Sequence, residues 1–451
     1  MRFKILSTSF WLHSVFFSTL NRFSSVAFAV LSYMLLAKKV FATASEMGIW
    51  ALFMSIITLV ETIKQGLLRN STIKFLGEPE YANQKNKIQT SSLLINIAFS
   101  LLIILLIIFG GRTISRWLHT PQLYELCLWG ILIVIFLIPS SHCEVLMHAN
   151  FRFREIFYVY VVKQAVFLFG IIIMLLFFRK YLSLVSLVFW QILSALCGAL
   201  LAYYYARVHF IKGFVYDKIT IRRMFHFGKY IFGTNVFSAL SRQADQFISA
   251  GLMSTEVTAY YNVSSRVNNF MDMPSMAVAD VLFPKNVEAM AISGTDKVRY
   301  YFERLVGTIV SIIIPISVII FLFPGLVIRI LAGSKYLHAI PILQTVILSS
   351  FMRPFFYQFG ATMDAIGRPR LNFWMNLVIT IINSGLMYLG LRYLGWLGAA
   401  YGFVVGMFIN FCIILIILNR TIGVKRSEII LYVGESYKNM FRIANKFLRK
   451  A

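Results

Sequence analysis

Residues 93–111 read LLINIAFSLLIILLIIFGG, a run without a single charged side chain. A helix rises about 1.5 Å per residue, so roughly twenty such residues cross a hydrocarbon core of about 30 Å. Five further stretches behave alike: Leu126–Pro139, Val159–Phe178, Leu182–Ala206, Leu305–Leu326 and Gly402–Leu418. These runs are continuous, whereas a β-barrel needs short segments of alternating polarity. Across 451 residues, 59% are hydrophobic and only 14% are charged. A single soluble core cannot hide that much apolar surface, so lipid must be the solvent. The expected fold class is an all-α integral membrane protein.

At the amino end, Arg2 and Lys4 precede an apolar run, and Ala27-Phe28-Ala29 has the look of a secretory cleavage site. His13 and Arg22 interrupt that run, however, and more apolar segments follow at once, so an uncleaved first helix is expected. Cys127, Cys143, Cys197 and Cys412 fall inside apolar spans, which suits small packing residues better than disulfides or a zinc site. Apolar runs and breakers together give about twelve spans, near 10–36, 47–68, 90–111, 124–147, 156–178, 182–206, 228–252, 257–283, 305–327, 338–362, 371–391 and 396–419. Alternate connecting segments differ about threefold in Lys and Arg, and the richer set includes both ends. Both termini are therefore expected in the cytoplasm of a bacterial inner membrane. The net charge of +25 mostly serves this topology and contact with anionic headgroups, and does not argue for nucleic acid.

The two halves echo each other. Met147–Arg154 and Met363–Arg370 lie 216 residues apart; each ends a long span, carries two arginines and follows a proline, Pro139 or Pro354. An even number of spans per half gives two parallel six-helix lobes, expected at 1–210 and 211–424, with a basic tail at 425–451. Such lobes leave a cleft between them, where transporters of this plan hold substrate. The tail interleaves Ile429 and Ile430 with basic residues, as an amphipathic helix on the headgroups does.

Three places carry a family likeness. The first is Leu35-Leu36-Ala37 leading to Glu46-Met47-Gly48-Ile49-Trp50-Ala51-Leu52. The second is Arg242-Gln243-Ala244-Asp245-Gln246-Phe247-Ile248, followed by Tyr260-Tyr261-Asn262-Val263-Ser264-Ser265-Arg266-Val267. The third is Leu282-Phe283-Pro284-Lys285, with the Gly367-Arg368-Pro369 turn. The chain resembles the polysaccharide-flippase (Wzx-like) branch of the multidrug/oligosaccharidyl-lipid/polysaccharide (MOP) exporter superfamily. It departs from it after span 1, where Ala37-Lys38-Lys39-Val40-Phe41 replaces the usual Arg-Leu-Gly-Pro-rich turn. The resemblance implies a MATE-like fold of two lobes that alternate between V shapes. It also implies export of undecaprenyl-pyrophosphate-linked oligosaccharide units, for surface polysaccharide or O-antigen biosynthesis.

An ionisable group at mid-bilayer costs about 2.5–3.5 kcal/mol on insertion scales, so each needs a reason. Arg22, Lys64, Lys163, Arg242, Arg266 and Arg353 are the candidate substrate-binding cations. Guanidinium suits pyrophosphate because its planar fork holds phosphate oxygens in pairs and keeps its charge. Glu61, Glu144, Asp245 and Asp272 are candidate ion-coupling groups or charge partners, and Asp280 sits near a span end. A competing reading is local neutralisation: Glu61–Lys64 and Arg242–Asp245 stand three apart and share helix faces. Polar residues such as Asn235, Gln243, Asn262 and Asn268 crowd spans 7 and 8, suited either to sugar hydroxyls or to interhelical hydrogen bonds.

No phosphate-binding P-loop and no H-E-x-x-H helix occurs. His142 and His148 stand six apart, too far round a helix to share a metal, and no Ser/His/Asp constellation is visible. No cofactor and no metal are expected, and the chain reads as a transporter rather than an enzyme. Expected partners are a lipid-linked oligosaccharide, membrane lipids and other polysaccharide-assembly membrane proteins. The rival reading is a cation-coupled multidrug or metabolite antiporter of the same architecture, for which unpaired carboxylates lining the cleft would speak. A membrane-embedded glycan polymerase is a third, disfavoured by short external segments.

Overall fold

The computed structural model describes residues 8–77, 84–210 and 213–448, and among these every regular element is helical. In chain order the helices are α1 (Thr8–Leu35), α2 (Ala44–Gly77), α3 (Lys85–Leu105), α4 (Gly111–Trp117), α5 (Pro121–Ala149), α6 (Phe153–Phe177) and α7 (Leu184–Ala206). There follow α8 (Lys218–Leu252), α9 (Thr255–Leu322), α10 (Pro324–Leu331), α11 (Ile340–Ile347), α12 (Arg353–Ala365), α13 (Pro369–Leu394), α14 (Gly398–Ile422) and α15 (Arg426–Leu448). Helix ends follow local chemistry. Ser183 and Ser186 form a reciprocal capping box at α7, and the Asp217 carboxylate accepts from Ile219 N at the start of α8. Gly423 closes α14 in a left-handed conformation (φ 72°).

Among the described residues, eight segments are long and apolar enough to cross a membrane, and the bent pair Ser334–Ile347 and Ser350–Ala365 makes a ninth. One of the eight, Pro369–Ile422, contains both α13 and α14. The remaining expected spans, 228–252 and 257–283, fall on helices of ample length but richer in polar residues: α8 and the first leg of α9. Helix α9 breaks at Gly294, whose φ of 66° and ψ of −152° no side-chain-bearing residue adopts readily. Its second leg, 295–322, opens with charged residues and is strongly apolar from Leu305 onward. Outward-facing side chains are apolar, Phe109 at 78% exposure being an extreme, as lipid rather than water requires.

The chain divides into two compact units, Met1–Ala259 with Leu331–Gly333, and Tyr260–Ile330 with Ser334–Ala451. The first unit thus extends past residue 210 and takes in α8, which packs on α2 and α3. There Ser55 on α2 bonds both Gln243 and Gln246. Gly48 lets the start of α2 meet the backbone of Thr255, where a β-carbon would collide, while Ser45 and Thr255 share a hydroxyl contact of 2.6 Å. Trp50 stacks on Phe167. In the second unit, Gly398, Gly402 and Gly406 line one stripe of α14 and bring it against the backbone of α13. Small residues at this spacing drive close helix packing in lipid. The Tyr261 hydroxyl donates to Trp396 O and accepts from Ala400 N, pinning the turn between α13 and α14.

Candidate functional site

In the first unit, three apolar helices converge on a small polar pocket. Helix α2 contributes Glu61 and Lys64, α5 contributes Ser140, Ser141 and Glu144, and α6 contributes Tyr160 and Lys163. The Lys163 ammonium donates to Glu61 Oε1 at 2.7 Å. Glu144 Oε1 accepts from the Tyr160 hydroxyl at 2.8 Å and lies 3.6 Å from His148 Nε2. Behind it, Arg69 Nη2 approaches His148 Nδ1 at 3.4 Å. Lys64, 1% exposed, donates to Ser100 Oγ at 2.9 Å. Asn96, one turn before Ser100 on α3, donates to Ile138 O and Ser141 Oγ across α5.

The expected Glu61–Lys64 bridge is therefore corrected. Spacing puts the two on one face of α2, but Lys163 takes Glu61 across the α2–α6 contact and Ser100 takes Lys64. A direct charge contact outcompetes a neighbour whose ammonium already has a buried acceptor. Neither does Lys163 reach away from the protein, since its side chain is 18% exposed and lies in the pocket. Two cations face two carboxylates, so the pocket is charge-balanced and rich in hydroxyls, not a bare anion hole.

The second unit holds its own embedded pair. Arg353, at the start of α12, bonds Asp272 on the first leg of α9 at 2.6 Å. Tyr357 donates to the same oxygen at 3.2 Å, and the guanidinium sits 5.6 Å from the centre of the Phe403 ring. Farther along this seam Gln358 donates to Ser275 O and Asn286 to Thr362. Of the other candidates, Arg242 is exposed on α8, Asp245 and Arg266 are half-buried, and all three are engaged by neighbours. The side chains of Arg22 and Asp280 lie outside the described residues. Asn96, Ser100, Tyr160, Arg69 and His148 enter the network without having been singled out as binding groups. Arg69 lies just past the expected span at 47–68, because α2 runs on to Gly77. His142 stacks on Phe210 and takes no part.

Residues 41–341 match the family described as polysaccharide biosynthesis protein. A Shigella flexneri protein whose name assigns it to O-antigen transport is 23% identical over 235 residues, 51% of this chain and 54% of its own length. The chain thus spans about half of that relative. An inward-facing MATE-family multidrug resistance transporter of the MOP superfamily superposes with a TM-score of 0.78 at 13% identity, covering 88% of this chain and 94% of the other. The lipid II flippase MurJ in an inward closed conformation gives 0.76 at 16% identity, over 96% and 93%.

Proposed function

The chain belongs to the polysaccharide biosynthesis protein family, in the Wzx-like branch of the MOP superfamily, and from that premise we propose that it flips an undecaprenyl-pyrophosphate-linked oligosaccharide across the bacterial cytoplasmic membrane. Alternating access of two lobes moves the headgroup while the prenyl tail stays in lipid. The observation that carries this reading is the hydroxyl- and charge-lined pocket among α2, α5 and α6, set inside helices otherwise fit for hydrocarbon. Dragging a pyrophosphate and its sugars through hydrocarbon is prohibitive, so a polar path must be supplied. Lys163 and Lys64 donate to the headgroup by exchanging their present acceptors, Glu61 and Ser100, for substrate oxygens. Arg22, Arg242 and Arg266 serve the same path, and both termini face the cytoplasm.

The carboxylates Glu61 and Glu144 favour a coupled role in the same protein. When substrate takes Lys163, Glu61 is left to bind a proton or a cation, which links glycan movement to an ion gradient. This sets the proposal apart from a drug antiporter, in which no glycan step depends on the lysines. Complementation of a flippase-null strain decides the matter. Lys163→Met and Lys64→Met, expressed at normal levels, are expected to abolish or strongly reduce surface glycan. Normal glycan from both overturns the assignment of this pocket.

A further inference from the structure

The carboxyl-terminal helix α15 makes a second polar groove, far in sequence from the pocket above. It is anchored to the second leg of α9 at two points. Glu303 Oε1 accepts from the backbone of Lys425 at 2.7 Å, and Gly307 admits Tyr432, whose β-carbon a larger residue would strike. Ile429 is buried against Val306 and Val310 in the same cluster. Ser436 then reaches Thr308 at 3.4 Å. From 425 to 436, α15 advances about 16 Å while its contacts on α9 advance about 7 Å, so the helices cross rather than run side by side. The outer side of α15 carries Ile430 at 72% and Leu431 at 52% exposure beside exposed Lys425, Arg426 and Lys438. Apolar and basic residues together on an exposed helix mark a lipid surface.

Between the two helices Arg304, Thr308, Tyr432, Glu435, Ser436 and Asn439 line a groove of about 240 Å³. Arg304 stands where the charged part of the α9 leg gives way to the apolar run 305–326. Its guanidinium donates to the Tyr300 hydroxyl and lies 5.7 Å from that ring's centre, which fixes it at the groove. Ile312, one turn deeper, extends the lining into the apolar zone.

We infer that this groove holds the headgroup of a zwitterionic phospholipid with a primary ammonium, of the phosphatidylethanolamine class. The lining offers one fixed cation and one carboxylate in company with hydroxyls, which matches a phosphate and an ammonium on a short linker. Arg304 takes the phosphate, for which a guanidinium fork is suited. Glu435, which forms no ion pair among the described residues, takes the ammonium. A choline headgroup offers Glu435 no N–H, and a glycerol headgroup offers it no charge. The lipid then wedges α15 onto α9. This site is independent of the transport pocket.

The test uses the full-length protein in detergent with added dioleoyl phosphatidylethanolamine, phosphatidylglycerol or phosphatidylcholine. Bound lipid is counted by native mass spectrometry and the shift in melting temperature is followed. The ethanolamine lipid is expected to bind about two- to fivefold better than either other, the range of a surface charge pair. Arg304→Gln is expected to weaken both the ethanolamine and the glycerol lipids, whereas Glu435→Gln levels the two. Glu435→Lys is expected to turn the preference to phosphatidylglycerol. An unchanged lipid ranking in all three variants, or a wild type that prefers phosphatidylglycerol, overturns the inference.

Discussion

Lys163–Glu61 in the first unit and Arg353–Asp272 in the second are ion pairs of nearly equal length, 2.7 and 2.6 Å, yet their surroundings differ. The first lines a pocket, with Glu61 33% exposed and a second carboxylate nearby. The second is closed in: its side chains are 13% and 9% exposed, a tyrosine hydroxyl fills in at 3.2 Å, and a phenyl ring covers the guanidinium. Embedded charge in itself therefore marks neither a site nor a strut. What separates the two is whether the partner can be exchanged. Lysine is a point charge that accepts a substitute oxygen readily, while the guanidinium of Arg353 is held by pairing and stacking at once.

The contrast breaks most decisively at the buried pair. Arg353→Met or Asp272→Leu leaves a lone buried charge and is expected to cost about 3–5 kcal/mol, seen as a large drop in melting temperature. The double substitution should recover most of that loss, since two apolar side chains leave no charge uncompensated. A double variant no more stable than either single one shows that Arg353 is held for binding, not for structure. At the pocket, Lys163→Met should leave melting far less affected and remove glycan export. A protein that instead fails to fold would place Lys163 with the struts.

Packing supplies a control without charge. Gly402→Val pushes methyl groups against the backbone of α13 and is expected to cost about 1–3 kcal/mol, read as lost melting temperature with both ion pairs intact. The smallest effect lies outside the membrane. The Thr220 hydroxyl, with Ile219 N and Lys87 assisting, holds the Asp217 carboxyl below its ordinary range. Because the folded value is depressed, this stabilisation is present above the unfolded value of about 4 and fades as pH falls through the folded one. Asp217→Ala should thus melt slightly below wild type at neutral pH, with the gap closing in acid.

Much of the fold was readable because lipid demands long uncharged runs, and residues 93–111 or 402–418 say so without help. Helix α8 and the first leg of α9 were legible only through shorter apolar runs and breakers, because they carry too many polar residues to stand out by hydropathy alone. The repeat and the alternation of basic segments support their place. The motif residues Gly48 and Tyr261, first noted only as likeness, have plain physical work: one clears a backbone crossing and the other ties down a turn. The pocket was half legible. Spacing finds neighbours on one helix, as with Glu61 and Lys64, but Lys163 stands 102 residues away in sequence. Asn96 and Ser100 sit in the most apolar run of the chain, where a small polar side chain gives no sign of whether it serves its own backbone or a buried ammonium.

The polarity of α8 and of the first leg of α9 also bears on how the chain is made. A helix bearing Asn262, Arg266, Asn268 and Asp272 gains little by leaving the translocation channel for bare lipid. Its guanidinium partner for Asp272 is Arg353, which the ribosome delivers 81 residues later. The second unit is therefore expected to settle in lipid out of step with synthesis, its early polar segments integrating fully only once Arg353 arrives. Truncated chains ending before Arg353 would show this by weaker membrane integration of residues 255–293.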